Sequence, residues 1–194
     1  MHSVSAARTT GGDLSVQRLL EVSRVVLQQA IDLVDNDLAS DELLDVHSQY
    51  MPGSTIGKHL RHARDHFWLL MDAMEAAPPY VLNYDVRSRN RPMETSRRAA
   101  HDALTECIAR LEQVVPKQKM DEPVTLNAVT PYPQTMQSTF GRELWFGALH
   151  AVHHWSMVRV ICGELGIRLD ESFGFAPSTL VHQGSEAPLG KAKC

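Results

Sequence analysis

The stretch from Phe140 to Gly166 reads FGRELWFGALHAVHHWSMVRVICGELG, and it decides the fold of this chain. Its length and composition predict one long helix, which Gly166 is well placed to end. His150 and His154 are four residues apart, so a helix presents them on the same face. That face also carries Phe146, Met157 and Ile161, so the two histidines occupy positions that would otherwise belong to the core. His153 is rotated toward the flank of the helix.

Three further stretches repeat apolar residues at steps of three and four, as buried helix faces do. The first predicted helix starts at Asp13 or Ser15 and reaches about Leu38. The second runs from about Thr55 to Ala76 with Ser54 as its N-cap, and the third starts after Thr95 or Ser96 and reaches about Val115. The sequence therefore predicts an all-α four-helix bundle.

The segments between the helices are rich in proline and polar residues. Residues 78–95 are predicted to form a loop, and residues 116–137 allow a short two-stranded β-excursion between helices three and four. The segment after Ile167 is predicted to be ordered and extended. The predicted organisation is a disordered tail at 1–12, the bundle at 13–181 and a flexible tail at 182–194.

Helix two supplies a second group of histidines. His59, His62 and His66 fall within an arc of roughly 60° at about 100° per residue, and this arc borders the apolar face. At least one of them should therefore point into the bundle, toward the histidines of helix four.

Buried histidines need a partner for each ring nitrogen, and a divalent cation satisfies two of them at once. Helical bundles often hold metals between facing helices, and three protein ligands with an open position are typical of catalytic zinc. The simpler interpretation is a pair of hydrogen-bonded core histidines beside an exposed histidine-rich flank. The pattern favours metal binding over that alternative.

At this point the chain resembles the DinB/YfiT-like four-helix bundles of metal-dependent proteins, from about residue 14 to 181. The resemblance rests on Ser54 to His62, of the form SxxxxHLxH, and on HAVHHWSMVRVICGELGI, which starts at His150. The loop NYDVRSR and the segment FGFAPSTL complete it.

The resemblance implies that His62, His150 and His154 bind a divalent metal such as zinc, nickel or iron. His59 and His66 lie one turn to either side of His62, so each is an alternative ligand or a partner that orients one. His153 of helix four is a further candidate for either part. The resemblance also implies a low-molecular-weight thiol at the metal, in a thiol-S-transferase-like reaction.

Other polar residues have weaker claims. Tyr84, Arg87, Arg89 and Arg91 could hold an anionic substrate, but a solvated loop explains the arginines at least as well. Asp65 could orient His62, and Glu143 could act in proton transfer, although a surface position is the expectation for both.

Composition sets outer limits on function. The net charge of −4 gives no reason to expect nucleic acid or a membrane as a partner. Three cysteines with no disulfide framework favour a reducing cytoplasmic location. Two functions follow. The first is a metal-dependent transferase or hydrolase acting on a small molecule, and the second is a non-catalytic, metal-stabilised module that binds a ligand or forms a homodimer.

Overall fold

A computed structural model of the protein describes residues 11–86 and 88–191. Four long helices and one short one account for most of this part of the chain. They are α1 (Gly11–Asp32), α2 (Ile56–Glu75), α3 (Arg97–Val114), α4 (Phe140–Glu164) and α5 (Pro177–His182). A π-helical turn, Leu33–Asp37, extends α1 to the end that the sequence predicts. The predicted fold class, a helical bundle with a β-excursion, is confirmed.

The starts of three helices are fixed by side chains that cap them. The hydroxyl of Thr55 accepts a hydrogen bond from the backbone N–H of Lys58, at 3.2 Å. Ser96 caps α3 in the same way, and Thr139 caps α4. These bonds satisfy backbone donors that a helix N-terminus leaves without a partner. The prediction for α3 is confirmed, whereas the cap of α2 is Thr55 and not the predicted Ser54.

The core of the bundle is built around α4, which contacts both α1 and α2. Trp155 of α4 is fully buried, and its indole N–H donates to the backbone oxygen of Val26 in α1, at 2.8 Å. On the other side, Gly147 of α4 packs against Phe67 of α2, whose ring would be in ordinary van der Waals contact, at 3.5 Å, with a Cβ added to Gly147. The result is that one face of α4 lies directly against α2.

The β-excursion is larger than predicted. It is a three-stranded sheet of β1 (Tyr80–Leu82), β2 (Pro123–Ala128) and β3 (Gln134–Thr139). β2 pairs antiparallel with β3 and parallel with β1. The prediction of a simple loop at 78–95 is therefore wrong for residues 80–82, and a 3₁₀ turn also forms at Pro92–Glu94.

The segment after α4 is not extended throughout, as the sequence predicted. Gly174 has a φ of 74° and approaches the backbone of Trp155 so closely that a side chain there would overlap it. The chain then forms α5, and a 3₁₀ turn at Pro188–Gly190 buries Leu189. Within the described residues, no helix is long and apolar enough to span a bilayer. Residues 1–10 of the tail predicted at 1–12 lie outside them, and residues 11 and 12 belong to α1.

Candidate metal centre

Six histidines meet where α2 faces α4. His59, His62 and His66 come from α2, and His150, His153 and His154 come from α4. The ring centroid of His62 lies 5.1 Å from that of His150 and 4.7 Å from that of His154. The helical period that places these residues on facing surfaces is visible in the sequence, and the short distance between the helices brings the rings into contact.

The Nε2 atom of His150 lies close to the Nε2 atoms of two other rings. The Nε2 of His150 lies 3.2 Å from the Nε2 of His62 and 3.1 Å from the Nε2 of His154. A neutral imidazole nitrogen has either one proton or one lone pair, so it can make one good hydrogen bond. The Nε2 of His150 therefore cannot satisfy both neighbours through hydrogen bonds alone.

A metal ion resolves this conflict. Two nitrogens bound to one tetrahedral zinc at 2.0–2.1 Å lie about 3.3 Å apart, close to both observed spacings. For all three nitrogens to bind one such ion, the Nε2 atoms of His62 and His154 must also come to about this distance. The donor set and its spacing fit a divalent metal.

His59 contacts this group from the inside of the bundle. Its Nδ1 lies 2.7 Å from the Nδ1 of His154, so one proton is shared between these two atoms. When that proton is on His154, the Nε2 of His154 has the lone pair that a metal needs. Histidine ligands commonly donate their second N–H to a carboxylate, a backbone carbonyl or water, which fixes the tautomer of the ring, and the ring of His59 would take that part here.

His66 contacts the group from the next turn of α2 after His62. One ligand atom each from His62, His66 and His150 lie within 4.8 Å of one another, so these residues form a group that could hold a metal ion. The Nδ1–H of His66 can donate to the backbone oxygen of His62, at 3.0 Å, which leaves a lone pair on Nε2. Two overlapping triads thus share His62 and His150, with His154 or His66 as the third member.

Burial keeps the inner rings neutral. Desolvation, together with the neighbouring His150 and His62, lowers the pKa of His154 to about 2. Desolvation also lowers the pKa of His150 to about 3 and that of His59 to about 4. Neutral imidazole is the form that binds metals, so these rings need not lose a proton first at neutral pH.

One side of the group is open to solvent. His62 and His150 are half-buried, whereas His59, His66 and His154 are buried. Phe146 stacks on His150 with ring centroids 5.4 Å apart and is still 44% exposed. His153 is exposed, in agreement with its predicted position on the flank of the helix.

The two predicted acidic residues are buried, so the expected surface position is wrong for both. Asp65 is 9% exposed and forms ion pairs with Arg61 and Arg64 on its own helix. Glu143 is 6% exposed and accepts a hydrogen bond from the hydroxyl of Tyr84, at 3.0 Å. Paired cations explain the burial of Asp65, and hydroxyl donors explain that of Glu143.

The loop residues predicted to bind substrate separate into two groups. Tyr84 lies at the histidine group, stacked on His66 with centroids 4.7 Å apart. Arg89 is exposed, and the exposed Arg91 donates to the hydroxyl of Ser88. Arg87 lies outside the described residues.

Sequence reasoning missed two contacts of the site. The arc on α2 placed His59 near the core but did not show that its Nδ1 meets that of His154. The sequence indicates Tyr84 only as part of a basic loop. Its stacking on His66 depends on β1, a strand that the sequence does not predict. A local signal for either contact is absent from the sequence, because each joins segments far apart in the chain.

Comparison with known proteins places the chain in a family. A model of the DinB superfamily matches residues 12–158. FK506-binding protein 5 of Rhizopus delemar is 35% identical over 167 residues, which cover 84% of this chain. The chain spans only 37% of the length of that relative. No solved structure shows significant similarity to the chain.

The chain therefore belongs to the DinB superfamily. Proteins of this superfamily usually bind a metal, and this chain has a histidine triad that could hold one.

Proposed function

We propose that this member of the DinB superfamily is a metal-dependent enzyme whose divalent cation is bound by His62, His150 and His154. The observation that carries the proposal is that the Nε2 of His150 lies 3.2 Å from the Nε2 of His62 and 3.1 Å from the Nε2 of His154. These spacings match two ligands of one metal ion, and hydrogen bonds cannot satisfy both contacts.

His154 is preferred to His66 as the third ligand for two reasons. Its Nε2 lies 3.1 Å from the Nε2 of the shared His150, and its Nδ1 is already engaged by His59. That second contact is the one a metal-bound histidine uses to hold its tautomer. The ligand atom of His66 lies within 4.8 Å of those of His62 and His150, so His66 is the alternative third ligand.

The proposed chemistry is activation of a thiol or of water for transfer to, or hydrolysis of, a small molecule. A bound divalent cation lowers the pKa of a coordinated thiol or water and so supplies a nucleophile at neutral pH. The half-buried edges of His62 and His150 support access from solvent, which a purely structural metal does not require. Imidazole ligands are compatible with zinc, nickel or iron, and a low-molecular-weight thiol would be the second cofactor.

A second candidate is a non-catalytic module that is stabilised by its metal and binds a ligand or a second copy of the chain. The observation in its favour is the apolar outer face of α4, where Trp145, Leu149 and Val160 are each at least 37% exposed. Binding of FK506 is not carried over from the named relative, because most of that protein lies outside the aligned part.

The experiment is a metal analysis of protein purified without a histidine tag. Wild type is compared with His62→Ala, His150→Ala and His154→Ala after loading with zinc and removal of the excess. The exposed His153→Ala is the matched control, because it removes a histidine from the same helix. We expect about one zinc ion per wild-type or control chain and a loss in each of the three variants.

Two results would count against the proposal. A wild-type protein without zinc under these conditions removes the metal site altogether. Retention of zinc by His154→Ala together with its loss from His66→Ala moves the third ligand to His66. An accessible site is tested separately by the binding of an exogenous thiol to cobalt-loaded protein, since a closed coordination shell would not respond.

A further inference from the structure

A buried carboxylate links the sheet to the histidine group. Glu143 lies in the first turn of α4 and is 6% exposed. One of its oxygens accepts a hydrogen bond from Tyr84 at 3.0 Å, and the other accepts one from Ser138 at 2.5 Å. Hydrogen bonds to a buried charge are among the stronger ones in proteins, so this carboxylate holds both hydroxyl groups in place.

The ring of Tyr84 lies against His66. The two rings are stacked, with centroids 4.7 Å apart and an interplanar angle of 22°. His66 also contacts His150, whose ring centroid is 4.0 Å away. The Nδ1–H of His66 can donate to the backbone oxygen of His62, so three contacts restrain this one ring.

The sheet supplies the parts that hold Tyr84. Tyr84 follows β1 by two residues, and Ser138 lies near the end of β3. β2 lies between these strands and pairs with both, so the positions of the two hydroxyl groups are set by one sheet. Glu143 then joins this sheet to the helix that carries His150.

We propose that Tyr84, anchored by Glu143, is a positioning residue that fixes His66 beside the bound metal. His66 then completes the coordination sphere, either as a fourth ligand or as a hydrogen-bond partner of a molecule bound to the metal. This inference rests on the proposed metal site, but it concerns residues outside the three proposed ligands. It also gives the sheet a role, which is to carry Tyr84 to the site.

The test is a double-mutant cycle between Tyr84 and His66, read out by zinc affinity and by the visible spectrum of cobalt-loaded protein. We expect Tyr84→Ala and His66→Ala each to weaken zinc binding by roughly 10- to 100-fold, as losses of outer partners do. The double variant should be no weaker than His66→Ala alone, because Tyr84 acts through that ring. Tyr132→Ala, which removes a 74% exposed tyrosine from the loop between β2 and β3, is the control and should bind zinc as wild type does.

Two milder variants separate positioning from folding. Tyr84→Phe keeps the stacked ring and loses the hydroxyl, and Glu143→Gln keeps one acceptor oxygen. Both should reduce zinc affinity by less than Tyr84→Ala does, and both should alter the cobalt spectrum, which reports the geometry around the ion. A zinc affinity closer to wild type in Tyr84→Phe than in Tyr84→Ala would show that the ring contact matters.

The inference is overturned if Tyr84→Ala weakens zinc binding equally with and without His66. It is also overturned if His66→Ala changes neither the zinc affinity nor the cobalt spectrum. If wild type binds no metal, the proposed function fails, and the positioning is then judged on the metal-free protein by NMR. In that case Tyr84→Ala, but not Tyr132→Ala, should shift or broaden the ring resonances of His66, and unchanged resonances would contradict the inference.

Discussion

The inner histidines are held neutral by their surroundings. Burial lowers the pKa of His59, His150 and His154 to about 4, 3 and 2, from an ordinary value of 6.5. Between pH 6.5 and those values, the unfolded chain binds protons at these positions and the folded chain does not. Their contribution to stability is therefore complete above about pH 6.5 and is lost as the pH falls below it.

This difference predicts that metal-free protein is less stable at pH 5 than at pH 7. The measurement is urea unfolding in the presence of a chelator, and we expect the midpoint to fall between those two pH values. His154→Gln should show a smaller fall, because it removes one of the titrating rings. The comparison is not extended below pH 5, because Asp37 and Asp65 have raised pKa values in the folded protein. Protonation of these two carboxyl groups at lower pH favours the folded state and so opposes the effect of the histidines. An equal fall in the variant and in wild type would contradict the assignment to this cluster.

The sequence predicted part of the site at this scale. The spacing of His150 and His154 decides that they share a face, because helix geometry is local and regular. The arc on α2 limited the facing residue to three histidines and did not choose among them. Tyr84 and Glu143 could not be paired from sequence, because their contact depends on how a distant loop lies over α4.

At the scale of elements, the start of α2 depends on close contact with the 3₁₀ turn at Pro92–Glu94. A Cβ added to Gly57 would overlap the backbone oxygen of Glu94. Backbone atoms cannot move aside as a flexible side chain can, so the helix or the turn must shift. This contact also explains how α2 is held in place just before His59 and His62, which follow Gly57 by two and five residues.

Gly57→Ala is therefore expected to destabilise the protein by about 1–3 kcal/mol, the usual cost of overpacking. The matched control is Gly163→Ala in α4, where an added Cβ has open space around it. That change should stabilise the protein by about 0.5–1 kcal/mol, because alanine suits a helix interior better than glycine. The measurement is urea unfolding at pH 7, and equal effects of the two changes would contradict the close approach at Gly57.

The elements that the sequence predicted are those with local signals. The apolar period and the capping residues place the four long helices to within a few residues of their observed bounds. β1 has only three residues, and its pairing partner in β2 is more than forty residues away in the chain. The local sequence therefore contains no pattern that predicts this strand. α5 has six residues, too few for a helical period to stand out in the sequence.

At the scale of the whole molecule, the proposed site joins the two helices that lie on either side of it. A metal that binds only the folded state stabilises it by about 2.7 kcal/mol at a free concentration one hundred times its dissociation constant. Zinc should therefore raise the midpoint of thermal unfolding in wild type, with a dependence on its concentration, and a chelator should reverse the increase.

His150→Ala serves as the comparison, because His150 belongs to both candidate triads. Its unfolding midpoint should be independent of zinc, while His153→Ala should respond as wild type does. A similar rise in all three proteins would indicate that zinc binds elsewhere on the chain. The fold class itself was predictable, because four long amphipathic stretches allow few arrangements other than a bundle.

The most direct test of the central claim is the position of the metal ion itself. Crystals of zinc-loaded protein, measured at the zinc absorption edge, would show the ion as a peak in the anomalous map. The proposed site predicts one strong peak between α2 and α4, about 2.0–2.1 Å from the Nε2 atoms of His62, His150 and His154. A peak anywhere else, or zinc-loaded crystals with no peak among these three rings, would contradict it.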